Sequence, residues 1–403
     1  MMKVLVLNCG SSSIKYSIFE MTQEQKLASG IVEKIGTNDA TFFHHKAGSE
    51  PVTEVKLALD YATAMEKVAQ VIVDPFHGVL KDYDELEAVG HRVVHGGDRF
   101  LKPVRIDESV IQELIALFPL APLHNPPNVE GIRWAKDYFP QAVQVAVFDT
   151  SFYQQMPKYA HLYGLPRQVS QQYGIRKYGF HGISHAYVAE QAARFLGKGL
   201  SELKLITCHI GNGVSITATA DGTPLDTSMG FTPLEGVMMG TRSGSLDPAI
   251  IPFLKEKTGK SAAQVIEMLN HESGLLGVSG ISHDLRELIA AMESGEQNAK
   301  LAIDIYVYQM QKMIGSFLPV LRGLDVLVFT AGVGENVPLI RKRICEAFRF
   351  LGVAISDEAN QSAQSGIHRI STSSSKVEVL VVPTNEEWMI ATQTKALAEG
   401  RKT

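Results

Sequence analysis

The residues best placed to do chemistry cluster in short glycine-bearing segments. Asn8-Cys9-Gly10-Ser11-Ser12-Ser13-Ile14-Lys15 combines a glycine with three hydroxyls and a lysine. Glycine lets the backbone approach an anion, successive N–H groups form a nest, and hydroxyls with a lysine complete a phosphate cradle. Read alone, such a segment is equally a tight turn. An echo past mid-chain, Gly211-Asn212-Gly213, favours the phosphate reading. Arg92 in Gly90–Gly97 and Arg242 in Met239–Gly244 occupy glycine-flanked loops that expose a guanidinium toward a ligand, or else hold a structural ion pair. His181 in Tyr178–Gly182 reads by itself as structural. Asp149 closes a buried strand, where Asp is catalytic, metal-binding or structural. Glu386 and Glu387 follow the last strand and suit either a site or the first turn of a helix. The chain has no G-x-x-x-x-G-K-[ST] loop, no strand-to-helix G-x-G-x-x-G, no protein-kinase catalytic loop and no G-x-S-x-G elbow.

The elements that carry these residues follow from apolar periodicity. Val4–Leu7, the Gly10–Ser13 turn and alternating Ile14, Tyr16 and Ile18 predict a hairpin. Leu205–Cys208, Gly211–Gly213 and alternating Val214, Ile216 and Ala218 predict a second. Asn8 and His209 each precede a glycine by two positions, which suggests an internal duplication. Buried-strand runs at Val143–Phe148, Asp325–Phe329 and Val379–Val382 end in polar or glycine-bearing turns. Asn298–Leu321 carries helical spacing. Apolar strands alternating with helices describe an α/β protein with its site at the strands' carboxyl ends.

At 403 residues the chain exceeds what one core supports, which predicts two domains. A net charge of -5 argues against a nucleic-acid or membrane-surface partner. The cluster Arg341-Lys342-Arg343 reads as the solvated face of a helix. Cys9, Cys208 and Cys345 form no C-x-x-C pair, which points to reduced thiols. The first residues lack a signal peptide's pattern, and no apolar stretch approaches the ~20 residues that span a bilayer. A cytoplasmic protein is expected.

Taken together, NCGSSSIK (Asn8–Lys15), GHRVVHGG (Gly90–Gly97), APLHNPP (Ala121–Pro127), VFDTS (Val147–Ser151), RKYGFHGISH (Arg176–His185), DTSMGFTPLEGVMMGTRSG (Asp226–Gly244), FTAGVGEN (Phe329–Asn336) and PTNEE (Pro383–Glu387) resemble the acetate kinase family, in the family's order. The departures are Ile183 for Thr, Ile210 for Leu and Cys9 for Ala, none of which removes a charged or ligand-binding group. The resemblance implies an α/β fold of two duplicated ribonuclease H-like domains with a nucleotide cleft between them. It places them at 1–149 plus 386–403, and at 150–385 with the nucleotide site and a dimer interface. It also implies ATP/ADP as co-substrate, acetate and acetyl phosphate as partners, Mg²⁺ (or Mn²⁺) on Asn8 and Glu386, and a homodimer. By the same resemblance Ser13 and Lys15 contact phosphate, and His209, Ile210, Gly211, Asn212 and Gly213 form the second phosphate loop. Asp284, Leu285, Arg286, Gly332, Val333, Gly334, Glu335 and Asn336 bind adenosine. Arg92 orients the acid, Val94, Leu123, Phe180 and Pro233 surround its methyl, and Arg242 with His181 stabilises the transition state. Propionate kinase is the near alternative, and an ATP-gated binding protein without kinase activity the distant one.

Asp149 matches the family's proton donor/acceptor, but the chemistry argues for a different role. Acetate is ionised at neutral pH and needs no base. The difficulty is bringing one anion against another, a repulsion of about 4 kcal/mol at ~4 Å and an effective dielectric near 20. Cations and donors aimed at the phosphoryl group meet that need. Asp149 then reads as a charge that positions Arg92 or the metal.

Overall fold

The run Val4–Leu7 is buried throughout, as a central strand covered on both faces requires. It lies in β1 (Lys3–Cys9) of the computed structural model, which describes residues 2–363 and 365–401. The chain divides into two units, Met1–Gln154 with Asn385–Thr403, and Gln155–Thr384.

In the first unit β1 pairs antiparallel with β2 (Ser13–Glu20), and β3 (Gln25–Glu33), β4 (Ala40–Lys46) and β5 (Val52–Leu57) continue the meander. On the other side β6 (Leu86–Val93) and then β8 (Val143–Phe148) add in parallel, while β7 (Val104–Arg105) lies antiparallel at the edge. The sheet order is β5-β4-β3-β2-β1-β6-β8-β7. Leu5, Leu7 and Cys9 face a core shared with Ala64, Met65 and Val68 of the helix Tyr61–Ile72 and Ala135 of the helix Asn125–Tyr138. The helix Glu386–Ala398 packs on β6, where Ile390 and Thr394 lie over Gly90 and leave no room for a side chain there.

The second unit is built from β9 (Leu205–Ile210), β10 (Val214–Ala220), β11 (Thr223–Thr227), β12 (Val326–Thr330), β13 (His368–Arg369) and β14 (Glu378–Val381), in the order β11-β10-β9-β12-β14-β13. Strand for strand this repeats β3-β2-β1-β6-β8-β7, with the same parallel and antiparallel partners. The duplication read from the two hairpins thus extends to whole sheets, down to an edge strand that precedes its neighbour in sequence and runs against it.

Three expectations need correction. Arg92, expected in a glycine-flanked loop, stands inside the strand β6. Arg341 is fully buried and not on a solvated face. Its guanidinium donates to the carbonyls of Gly334 (2.9 Å) and Glu335 (2.7 Å) and to Oδ1 of Asn360 (2.7 Å). Carbonyls at a helix end satisfy a buried guanidinium much as they satisfy any cation near the negative pole. The segment after β12, expected as a turn, is the short helix Ala331–Asn336. Glu335 Oε1 accepts from the Ala331 N–H (2.8 Å) at its start, and Arg341 holds its last carbonyls. Those bonds offset the cost of two interior glycines. Among the described residues, no helix is long and apolar enough to cross a membrane.

Candidate active site

The carboxyl ends of β1, β6 and β8 meet the first turn of the helix Glu386–Ala398 in the first unit. Arg92, penultimate in β6, grips Asp149, the residue after β8, with two prongs: Nε to Oδ1 at 3.0 Å and Nη2 to Oδ2 at 2.6 Å. The guanidinium also reaches Asn8 Oδ1 (Nη1, 3.4 Å) and lies 3.7 Å from Glu386 Oε2. The Asp149 side chain is 2% exposed, those of Arg92 and Glu386 19% and 22%. Burial opposes the charge on Arg92, but Asp149 and then Glu386 outweigh it and hold its pKa above the ordinary arginine value. Of the acidic pair, Glu387 is committed elsewhere, accepting from Ser17 Oγ (2.6 Å) and Lys26 Nζ (2.9 Å). Asn385 caps the helix, its Oδ1 accepting from Trp388 N (3.0 Å).

The turn between β1 and β2 is closed by Gly10 N to Ser13 O (2.8 Å), with Ser11, Ser12 and Lys15 exposed and Ser13 half-buried. Asn8 and Lys15 are cross-strand partners. Asn8 and Glu386 offer hard oxygen donors, the kind that suit Mg²⁺ or Mn²⁺ bound by few protein groups together with phosphate. Among the described residues no group of three or more His, Cys, Asp or Glu could hold a metal by itself. Val94 is half-buried and Leu123 exposed, whereas Val93 is buried among Phe100, Leu114 and Phe148. Asn125, within the APLHNPP string, and Asn128, just after it, bind the segment that follows β6. Asn125 exchanges bonds with His95 N (3.2 Å) and O (3.0 Å). Asn128 ties Val94 N (3.1 Å) to Cys9 O (2.6 Å).

In the second unit His181 sits just before the helix Gly182–Phe195 with φ 55 and ψ 24, a left-handed conformation that is strained for a non-glycine residue. Its ring stacks on His209 with centroids 4.2 Å apart. Arg242 donates from Nη1 to Pro233 O (3.2 Å), and burial lowers its pKa. A Cβ added at Gly213 would lie 3.3 Å from Arg242 Nη1 and 3.5 Å from His181 Nε2. Both nitrogens therefore border one small space, kept open because residue 213 has no side chain. Phe180 is buried beside His181 in sequence, and Pro233 is half-buried.

A cavity of about 180 Å³ joins the other segments. Gly211 and Asn212 from the turn after β9 line it with Asp284, Leu285 and Val333. Ile210 closes β9 and is buried. Asp284 caps the helix Leu285–Glu293, and its bonds to the side chain and N–H of Arg286 pull its pKa down to about 2. The Arg286 guanidinium is exposed. Gly332 and Asn336 are exposed and joined to each other (2.9 Å), while Gly334 is buried. Glu335 spends one carboxylate oxygen on Ala331 N and Thr384 N (3.0 Å), so it braces this wall. Gly240, Leu275, His283 and Tyr306 also line the cavity. Only Gly240 lay in a string singled out from the sequence. The others come from helices and their edges, where an apolar or aromatic residue carries no ligand signal.

The profile of the acetokinase family matches residues 3–392. An acetate kinase from Thermoanaerobacter pseudethanolicus is 50% identical over 402 residues, covering 100% of both chains. The crystal structure of Porphyromonas gingivalis acetate kinase superposes with a TM-score of 0.93 at 44% identity, over 98% of this chain and 100% of that one. A propionate kinase from Francisella tularensis gives 0.91 at 40% identity, over 98% and 99%.

Proposed function

The chain belongs to the acetokinase family, and from that membership we propose that it transfers the terminal phosphoryl group of ATP reversibly to acetate, giving acetyl phosphate and ADP. The observation that carries this reading is the pairing of Arg242 Nη1 with His181 Nε2 around the space above Gly213. Two donors bordering one Cβ-sized space suit a phosphoryl group in flight.

Metal binding falls to the first domain (1–149 with 386–403), and adenosine binding to the second (150–385). Arg92 receives the acetate carboxylate. Asp149, already bonded through both oxygens, holds the guanidinium in place and takes no proton. Ser13 and Lys15 engage phosphate from one hairpin, and His209–Gly213 from the other. The cavity lined by Asp284, Leu285 and Val333 takes the adenosine, with Arg286, Gly332, Gly334 and Asn336 around it and Glu335 as its brace. Asn8 and Glu386 would hold Mg²⁺, or Mn²⁺, whose charge offsets that of the phosphate oxygens when bound. A homodimer in the cytoplasm, implied by the resemblance, completes the reading.

Propionate is the second acid to weigh, because a propionate kinase is 40% identical. The family resemblance assigns Val94, Leu123, Phe180 and Pro233 to the substrate methyl, and the bulk of Val94 favours acetate. One methylene is worth only ~1–3 kcal/mol in an apolar pocket, so the preference is graded. The test is a steady-state assay with ATP, Mg²⁺ and either acid, trapping acyl phosphate with hydroxylamine. Hydroxamate should form with both acids and with the higher kcat/KM for acetate. No hydroxamate from either acid rejects the kinase reading, and a higher kcat/KM for propionate reverses the assignment of substrate.

A further inference from the structure

Behind His181 runs a buried chain of hydrogen bonds that the phosphoryl-transfer reading leaves unused. His181 Nδ1 is 2.8 Å from Ser215 Oγ. The same oxygen is 2.7 Å from Nε2 of His185, whose Nδ1 is 2.6 Å from Thr207 Oγ1. Ser215, His185 and Thr207 are all fully buried. Ser215 and Thr207 come from neighbouring strands β10 and β9, and His185 from the helix that His181 opens. The chain belongs wholly to the second unit.

Each link has a fixed supply of protons, so the chain has a direction. A serine hydroxyl has one proton and donates to one of the two rings while accepting from the other. Burial, reinforced by the nearby His209, pushes the His185 pKa well below 6.5, so this ring is neutral and carries one N–H. If Thr207 accepted from His185, its own buried hydroxyl proton would need another acceptor. If Thr207 donates, every proton along the chain has a partner, and an unmet buried donor is the costlier failure. The bonds then run Thr207 O–H to His185 Nδ1, His185 Nε2–H to Ser215 Oγ, and Ser215 O–H to His181 Nδ1.

We infer that Thr207, His185 and Ser215 are positioning residues that fix His181 in the neutral form with its proton on Nε2, aimed at the space above Gly213. This rests on the role proposed for His181 in phosphoryl transfer. It makes His181 a neutral hydrogen-bond donor and leaves the positive charge there to Arg242. It also accounts for the strained backbone at His181, since a ring anchored through Nδ1 holds the residue at φ 55. The stacked His209 has an anchor of its own, Nδ1 to Ser184 Oγ at 2.8 Å.

The test uses the full-length protein labelled with ¹⁵N-histidine, and His181→Gln identifies the His181 signals. Wild type should show His181 protonated on Nε2 when neutral, and His185 neutral across pH 6 to 8. Thr207→Val removes the first donor, two links away from the ring. It should shift His181 toward the Nδ1–H form and lower kcat about tenfold, the worth of one hydrogen bond, with both KM values little changed. Ser215→Thr keeps the hydroxyl and should hold both readouts near wild type, whereas Ser215→Ala should shift both as Thr207→Val does. A wild-type His181 with its proton on Nδ1 overturns the inference, whether or not any variant folds. So does a folded Thr207→Val with unchanged tautomer and kcat. His181→Gln separates the two readings, because wild-type kcat in that variant removes His181 from the reaction while the tautomer still reports on the chain.

Discussion

Arg92 and Asp149 form a two-pronged ion pair, 3.0 and 2.6 Å, in which the carboxylate is almost wholly buried and the guanidinium only partly so. Both carboxylate oxygens lie against the arginine, and that geometry fixes the orientation of the fork. Raising the arginine's pKa above its ordinary value places the loss of this charge beyond any working pH. The pair therefore presents a permanent, oriented cation at the carboxyl ends of β6 and β8.

Asp149→Asn tests whether that carboxylate positions or accepts a proton. As a positioning charge, its loss should lower kcat/KM for acetate about tenfold or more, as for a lost charge-assisted bond. The pH profile of kcat should keep the same neutral-range limbs. An acidic limb present in wild type and absent only in the Asn variant would mean that Asp149 acts as a base.

Gly213→Ala tests the space between His181 and Arg242. The added methyl would come to 3.3 Å from Arg242 Nη1 and His181 Cε1, and the backbone there is not left-handed. The fold should tolerate it, while kcat falls on the order of 10²-fold as the reacting group is displaced. Measured together, an unchanged thermal midpoint and unchanged kcat would show that the phosphoryl group passes elsewhere.

Val94→Ala removes two methyl groups from the proposed acid pocket. Propionate should gain about 0.8 kcal/mol for its extra buried CH₂. The kcat/KM ratio of propionate over acetate should rise several-fold to about tenfold. Val93→Ala should leave that ratio alone and cost about 2 kcal/mol of stability, because Val93 is a core residue. A constant ratio at Val94, or an equal shift at Val93, would put the substrate methyl elsewhere.

Acid should unfold the protein through its buried histidines. Burial lowers the pKa of His91 to about 4 and of His95 to about 4, and that of His185 well below 6.5. Below about 6.5 the unfolded chain takes up protons that these rings refuse, so their contribution is complete above 6.5 and is lost as pH falls toward 4. Each contributes up to ~1.4 kcal/mol per pH unit in that window. Urea midpoints at pH 7.5, 6.0 and 5.0 should drop steeply between the last two, and a flat series would contradict the assignment.

Apart from β6, the strands that carry the site were legible because they are buried and read as apolar runs. β8 was read at its observed limits, Val143–Phe148, and β1, β9, β12 and β14 within a few residues. Asn8 and Asp149 each lie at the end of such a strand, whereas Arg92 was read in a glycine-flanked loop and stands inside β6, whose glycine and polar residues hide the strand. The peripheral strands β4, β5, β7 and β13 were not legible, being half-exposed or two residues long. Arg341 was misread because residue type argues for solvent, and only the tertiary fold supplies the carbonyls that bury it. The chain behind His181 was invisible for the same reason. Its members are serine, threonine and histidine, separated in sequence and joined only when β9 and β10 meet the helix Gly182–Phe195.

The division of labour between the two arginines is the centre of this account, and acetate kinetics of Arg92→Ala and Arg242→Ala in one assay test it most directly. Arg242→Ala should lose kcat by about 10²–10³-fold, as for a donor that acts on the transition state, with the KM for acetate within a few-fold of wild type. Arg92→Ala should instead raise the KM for acetate by roughly 10–100-fold, the worth of a charge-assisted bond to the bound carboxylate, alongside any loss of kcat. An Arg242→Ala enzyme with wild-type kcat and only a raised KM would contradict it.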